Sequence, residues 1–365
     1  MTKHALSLIQ SEQTRSNALP TPAQLRDSIP LALLAQKTRD KARRDIAAIL
    51  EGRDDRLLII CGPCSIHDTH AAMEYALRLR KLAQTVSDHT LVVMRTYFEK
   101  PRTTVGWKGL LYDPHLNNSK RPQDGIRIAR QLLASINAIG LPCATEFLNP
   151  TVAPYLEDAI AYGCIGARTS ESQTHRELAS SLPMPIGLKN GIDSPLKTTA
   201  NSLQSARSPH TIFATDTQGI PQIIETPGNS HAHIILRGTA NGPNYTSDHV
   251  ASALDLMESN SQSRPLVIDC SHGNSRKKHC NQQKVVADVI SQVSTGQNRI
   301  AGLMLESNLV AGNQPFRSSQ PHCSGQSITD ACIGWEETES LVKEIAAAKA
   351  STLENRTPTP RGTRA

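Results

Sequence analysis

Leu91-Val-Val-Met-Arg-Thr-Tyr-Phe-Glu-Lys-Pro-Arg-Thr-Thr-Val-Gly-Trp-Lys-Gly109 reads as a buried strand that runs straight into a basic loop. Leu91 to Met94 are apolar, and Arg95 ends the run. A cation at the end of a buried strand must be paired or must face a ligand, because burying it alone costs several kcal/mol. Beyond it, Lys100-Pro101-Arg102-Thr103 forms a rigid turn that holds two cations and a hydroxyl together, the chemistry a phosphate needs. A solvated basic loop is the alternative for any one such segment. The recurrence of the pattern along the chain decides between them.

Working outward, short apolar runs alternate with helical ones. Leu57–Ile60 is the first strand, followed by a helix through Ala71–Ala83, and Leu91–Met94 is the second. A helix beginning after Asp124 places Ile126, Ala129, Leu132, Leu133 and Ile136 on one face and stops at Gly140. Further strands follow at Pro142–Thr145, Cys164–Ala167, Met184–Leu188, His233–Leu236, Leu266–Asp269 and Ile300–Leu305. Between the fifth and sixth, Thr211–Ala214 and Gln222–Glu225 flank Asp216-Thr-Gln-Gly219 and read as a hairpin. Eight β-runs separated by helices predict an α/β protein, a (β/α)8 TIM barrel with an N-terminal extension and an inserted β-hairpin between the fifth and sixth βα units. A doubly wound open sheet is the competitor, and no G-x-G-x-x-G or G-x-x-x-x-G-K-[ST] follows a strand to favour it. The expected organisation is an extension over 1–50, of which residues 1 to about 30 read as a polar arm and Pro30–Leu50 as one or two helices. A catalytic barrel over 51–349 carries the hairpin insert at about 209–226, and a disordered tail follows at 350–365.

Of 365 residues, 38% are hydrophobic and 20% charged, enough for a sizeable core. Aromatics are only 3%, which argues against a base-stacking nucleic-acid surface. The net charge of +6 is not gathered into a long run, so small acidic metabolites explain it better than DNA. Met1–Gln13 holds no signal-like apolar core and no window approaches a membrane span, so a cytoplasmic protein without membrane or nucleic-acid partners is expected. Eight scattered cysteines fit reduced thiols. Cys61-Gly-Pro-Cys64 has C-x-x-C spacing, but no second such pair completes a structural zinc site.

Barrel enzymes gather catalytic groups where strands end. The strand ends here offer Cys64, Arg95, Glu146, Arg168, Lys189, Arg237, His272 and Glu306, all chemically competent. Arg95, Arg168, Lys189 and Arg237, joined by Lys100 and Arg102, make a ring of cations suited to carboxylate and more than one phosphate. Cys64, His272 and Glu306, with Asp330 as a candidate fourth member, make a mixed sulfur, nitrogen and oxygen set suited to Mn2+, Fe2+, Co2+ or Zn2+. They lie far apart in sequence, and only the barrel would bring them together.

These residues resemble one family closely, type I 3-deoxy-arabino-heptulosonate 7-phosphate (DAHP) synthase, the first enzyme of the shikimate pathway. The matching segments are Gly62-Pro-Cys-Ser-Ile-His-Asp68, Met94 to Gly109, Gly166-Ala-Arg-Thr169 with Glu171-Ser-Gln173 and His175-Arg-Glu-Leu-Ala179, Leu188-Lys-Asn-Gly191, His233-Ile-Ile-Leu-Arg-Gly238, Asp269-Cys-Ser-His-Gly-Asn-Ser275, Glu306-Ser307 and Ser327 to Trp335. Carried over by position, the resemblance implies one divalent metal ion held by Cys64, His272, Glu306 and Asp330, with Lys100, Cys64 and His272 as the catalytic residues. It implies a substrate pocket of Arg95, Lys100, Pro101, Arg102, Thr103, Glu146, Ala167, Arg168, Lys189 and Arg237, in which phosphoenolpyruvate meets erythrose 4-phosphate held by Lys100 to Thr103. A homodimer or homotetramer is implied as well. An octulosonate 8-phosphate synthase would run the same reaction on arabinose 5-phosphate, and the Lys-Pro-Arg-Thr loop argues against it. A degenerate homologue that only binds an effector is opposed by the presence of every expected ligand. The resemblance also implies an aromatic amino acid effector, tyrosine if any, near Pro150, Pro154, Leu182, Pro183 and Phe213. Here Pro154 stands where the family usually has Gln and Pro183 where it usually has Ser, and both changes remove hydrogen-bonding groups.

Overall fold

The computed structural model describes residues 18–102, 105–259 and 265–354. Eight parallel strands form the barrel: β1 (Leu57–Gly62), β2 (Thr90–Arg95), β3 (Cys143–Glu146), β4 (Tyr162–Ile165), β5 (Ile186–Lys189), β6 (His233–Leu236), β7 (Leu266–Asp269) and β8 (Ile300–Glu306). Each pairs with its neighbours in chain order, and β8 returns to β1 to close the sheet, with Leu58 opposite Gly302 and Gly62 opposite Glu306. The strands are apolar throughout because both faces are covered. In β1, Leu57, Ile59 and Cys61 pack towards the helices, while Leu58 and Ile60 join Val93, Ala144, Val267 and Met304 inside the barrel.

The N-terminal mouth is closed by the extension. Helix α1 (Pro22–Ser28) precedes α2 (Leu33–Leu50), whose Ile46, Ile49 and Leu50 pack into the same interior cluster as Leu58 and Ile60. Residues 22–28, read from the sequence only as part of a polar arm, form a helix. A seven-residue helix is too short to show periodicity, and what forms it is local: Thr21 and Gln24 make a reciprocal capping box, Pro22 occupies the first turn, and Leu25 is buried.

His210–Thr215 pairs antiparallel with Pro221–Thr226 as the inserted hairpin, and Asp216 Oδ1 accepts from Gln218 N and Ile220 N in its turn. Two strands sit slightly off their expected positions: β4 ends at Ile165, so Ala167 falls in a loop, and β5 begins at Ile186. The C-terminal helix runs from Trp335 to Glu354, past the boundary expected at Lys349. Lys349 is itself buried, and Ser351 and Thr352 bond back to the carbonyls of Ala347 and Ala348, so the helix continues until the Thr- and Pro-rich composition begins. The rest of the tail, 355–365, and residues 1–17 of the arm lie outside the described residues. Among the described residues no helix is long and apolar enough to cross a membrane.

Candidate active site

The C-terminal strand ends carry Arg95, Glu146, Lys189, Asp269 and Glu306 as their last residues, and Arg237 follows β6 directly. Arg95, Lys100, Pro101, Arg102, Glu146, Ala167, Arg168, Lys189, Arg237, His272, Glu306 and Asp330 all line one cavity of about 380 Å3. Cys64 borders it, its Sγ lying 3.3 Å from Asp330 Oδ2 and 2.9 Å from Lys100 Nζ. Thr103, expected beside Arg102, lies outside the described residues. Seven Lys and Arg side chains line the cavity against three carboxylates, an excess of positive charge that calls for an anionic ligand.

Each cation is oriented. Arg95 is fully buried, donates through Nη2 to Glu306 Oε1 at 2.8 Å and through Nε to the Pro63 carbonyl, and stacks over the Tyr97 ring at 3.6 Å. Lys189 Nζ stands 3.2 Å from Glu146 Oε1 and 3.6 Å from Asp269 Oδ2. Burial opposes ionisation of Glu146, but Lys189 and Arg95 together hold its carboxyl below the usual range. Burial lowers the pKa of Arg237, whose Nε is buried with no hydrogen-bond partner among the described residues. An orphaned buried donor on the wall of a cationic cavity suits a ligand oxygen.

Facing the cations, one ligand atom each from Cys64, Glu306 and Asp330 lie within 4.8 Å of one another. His272 Nε2 adds a fourth candidate donor, 3.4 Å from Glu306 Oε1. Burial, reinforced by Glu306, pushes the Cys64 thiol up to about 12 even with the Lys100 ammonium 2.9 Å from its sulfur, so a directly coordinated metal ion is what would draw out its thiolate. Asp330, on the rim, is held low by Lys100 and His272 against the effect of burial. The donor chemistry fits a borderline divalent ion. His272 has φ +53°, the left-handed region, a conformation that persists only when its surroundings hold it. Part of that hold is a backbone contact: a Cβ added at Gly238 would lie 2.4 Å from the Gly273 carbonyl carbon, so the loops bearing Arg237 and His272 approach as closely as two glycines allow.

Pro150, Pro154, Leu182 and Phe213 line a separate cleft of about 820 Å3 between the hairpin and the helix Gln173–Ser181; Pro183 is not among its lining residues. Glu157, Glu177 and Asp216 face it, Glu157 paired with Arg26 at 3.3 Å, and among the described residues no cation lines the cleft itself, while Phe213 is 91% exposed. The sequence reading of the site passed over Asp269 and Ser271, which support His272, and Lys277 on the pocket wall. Asp269 was visible as the last residue of an apolar run, the same signal that singled out Arg95 and Lys189.

A closed parallel barrel with an anion pocket beside a metal-capable cluster, at the C-terminal ends of its strands, has the architecture of a (β/α)8-barrel enzyme. Comparison with known proteins narrows the class. The sequence profile of the DAHP synthetase I family matches residues 32–343, and the chain belongs to that family. It is 47% identical over 348 residues to the tyrosine-sensitive phospho-2-dehydro-3-deoxyheptonate aldolase of Salmonella typhimurium, covering 94% of this chain and 96% of that one. It is 48% identical over 327 residues to the phenylalanine-sensitive enzyme of Escherichia coli K12, covering 90% and 93%. A solved structure of the aldolase from Francisella tularensis SCHU S4 superimposes with a TM-score of 0.91 at 43% identity, over 93% of this chain and 99% of that one. The chain is an enzyme, a transferase of the 3-deoxy-7-phosphoheptulonate synthase type.

Proposed function

We propose that the protein condenses phosphoenolpyruvate with D-erythrose 4-phosphate and water, giving DAHP and phosphate, with one divalent metal ion held by Cys64, His272, Glu306 and Asp330. The observation that carries this reading is that four metal-capable donors and seven cations share the rim and walls of one 380 Å3 cavity. Arg95, Lys100, Arg168, Lys189 and Arg237 hold the carboxylate and phosphate of phosphoenolpyruvate, and the loop from Lys100 to Thr103 holds the sugar phosphate. Glu146 keeps the Lys189 ammonium in place. When bound, the ion supplies Lewis-acid polarisation of the aldehyde. The cations align the two substrates so that C3 of phosphoenolpyruvate meets the aldehyde carbon, water adds at C2 and phosphate departs. The test is phosphate release from phosphoenolpyruvate with erythrose 4-phosphate and, separately, arabinose 5-phosphate, before and after EDTA and Mn2+ add-back. Turnover with the four-carbon sugar alone, lost on chelation and restored by Mn2+, is expected; turnover with arabinose 5-phosphate alone, or undiminished by EDTA, contradicts the reading.

Regulation is a second part of the proposal: the cleft of Pro150, Pro154, Leu182 and Phe213 takes the ring of tyrosine as feedback inhibitor. Its apolar wall and the similarity to the tyrosine-sensitive enzyme support this. Full activity at saturating tyrosine refutes it. We assign the protein to the cytoplasm as a homodimer or homotetramer.

A further inference from the structure

The geometry points to Asp269 as the positioning residue that ties the metal end of the pocket to its phosphate end, by fixing which nitrogen of His272 is free and where the Lys189 ammonium stands. The inference rests on the metal reading above and deepens it. Asp269 is the last residue of β7, is completely buried, and is not among the residues that line the cavity. Its Oδ1 accepts from Ser271 N at 3.0 Å and from Ser271 Oγ at 2.6 Å. Its Oδ2 makes no hydrogen bond among the described residues but faces two cation-capable groups as ion-pair contacts, His272 Nδ1 at 3.0 Å and Lys189 Nζ at 3.6 Å.

The proton count fixes the imidazole. Ser271 Oγ also lies 2.8 Å from His272 Nδ1. A hydroxyl has one proton, and that of Ser271 is committed to Asp269 at the shorter contact, so towards His272 it can only accept. Nδ1 therefore carries the proton whether it points to Ser271 Oγ or to Asp269 Oδ2, and in the neutral ring the lone pair is left on Nε2. That nitrogen faces Glu306 Oε1 at 3.4 Å, so two electron-rich groups confront each other across the spot where Cys64 and Asp330 also converge. A carboxylate behind a ligating imidazole sets its tautomer and ring orientation, and loss of such a partner typically weakens metal binding ~10- to 100-fold. The ring needs this hold because the His272 backbone is left-handed, without a conformational preference of its own to keep it there. The same Oδ2 faces Lys189, on a strand two removed from β7 in the closed sheet, so one carboxylate serves both ends of the cavity.

The experiment is Mn2+ calorimetry on wild type, Asp269→Asn and Ser271→Ala, with the phosphoenolpyruvate KM and kcat of each, and nitrogen-15 NMR of the imidazoles in the metal-free wild type. The expected results are an Nδ1-protonated His272, Mn2+ affinity ~10- to 100-fold weaker in the folded Asp269→Asn protein, and a raised KM for phosphoenolpyruvate at saturating Mn2+. Ser271→Ala, which leaves Oδ2 facing both partners, loses less. Wild-type Mn2+ affinity in folded Asp269→Asn overturns the inference while leaving the metal reading intact. An Nε2-protonated His272 overturns it even if the variant does not fold. Absence of Mn2+ binding to the wild type removes the metal reading and this inference with it.

Discussion

The two cavities of this protein are built in opposite ways. The strand-end pocket draws residues from β2, β3, β5 and β8 and from the loops between, and its charges are aimed: Arg95 by Glu306, Lys189 by Glu146 and Asp269, His272 by Asp269 and Ser271. The hairpin cleft is assembled from surface elements, exposes Phe213 and Ile223, and carries three carboxylates with no Lys or Arg among its described lining residues, only Glu157 being paired with a cation, Arg26, from outside the cleft. Rigid, over-determined side chains suit chemistry, where a displacement of an ångström is costly. Loosely held apolar surface suits a ligand that only has to bind, and tolerates changes such as Pro154 without loss of the first pocket.

That contrast can be broken by substitution. Cys64→Ala should abolish metal-dependent phosphate release, by at least ~10^3-fold, while the circular dichroism spectrum and melting transition stay close to wild type. Residual metal-stimulated turnover near the wild-type rate would remove Cys64 from the ligand set. Lys189→Ala should raise the phosphoenolpyruvate KM or lower kcat/KM by ~10- to 100-fold, because it deletes a charged contact and leaves Glu146 and Asp269 without their shared cation. Steady-state kinetics with both substrates varied would measure it. Phe213→Ala should shift the tyrosine concentration for half-inhibition ~10-fold and move the substrate KM values less than about twofold, since it removes an aromatic wall from the cleft alone. A change in both together would mean that the two cavities are not independent.

An effect on stability rather than on turnover sharpens the boundary between the cavities. Glu99 lies beside Lys100 in sequence, yet its carboxylate faces Leu148 N, Asn149 N and the Tyr112 hydroxyl, next to Pro150 of the other cleft. Burial pushes its carboxyl up to about 7. With a folded pKa above the unfolded carboxylate value, the folded state binds more protons between about pH 4.3 and about pH 7, so stability from this group falls as pH rises through that window. Wild type should therefore lose ~1–3 kcal/mol relative to Glu99→Gln between pH 5 and pH 8, read as the difference between two sets of urea unfolding curves. Parallel curves at both pH values would show that Glu99 is ionised in the fold at no cost.

Much of the barrel was legible because a strand buried on both faces leaves a continuous apolar run, and because a charged residue ending such a run has few roles open to it. Arg95, Lys189 and Glu306 were found that way. Helix α1 was not, since seven residues carry less than two turns of periodicity and its true signals are the Thr21–Gln24 cap and Pro22. The C-terminal helix outran its expected end because composition marks where a helix cannot continue, while burial of Lys349 decides where it does. Asp269 is hidden for a different reason: His272, three residues on, is the more conspicuous chemical group after β7. Its importance depends on Lys189 from β5 arriving at the same oxygen, a coincidence of barrel geometry that no local pattern encodes.

The central claim is that one pocket holds the divalent ion and the phosphorylated substrates together. The most direct measurement is an anomalous difference map from crystals soaked in Mn2+ and phosphoenolpyruvate. The account predicts a single strong peak bounded by Cys64 Sγ, His272 Nε2, Glu306 and Asp330, with the phosphate of phosphoenolpyruvate against Arg168, Lys189 and Arg237. A peak elsewhere, or none at saturating Mn2+ with substrate bound, would contradict it.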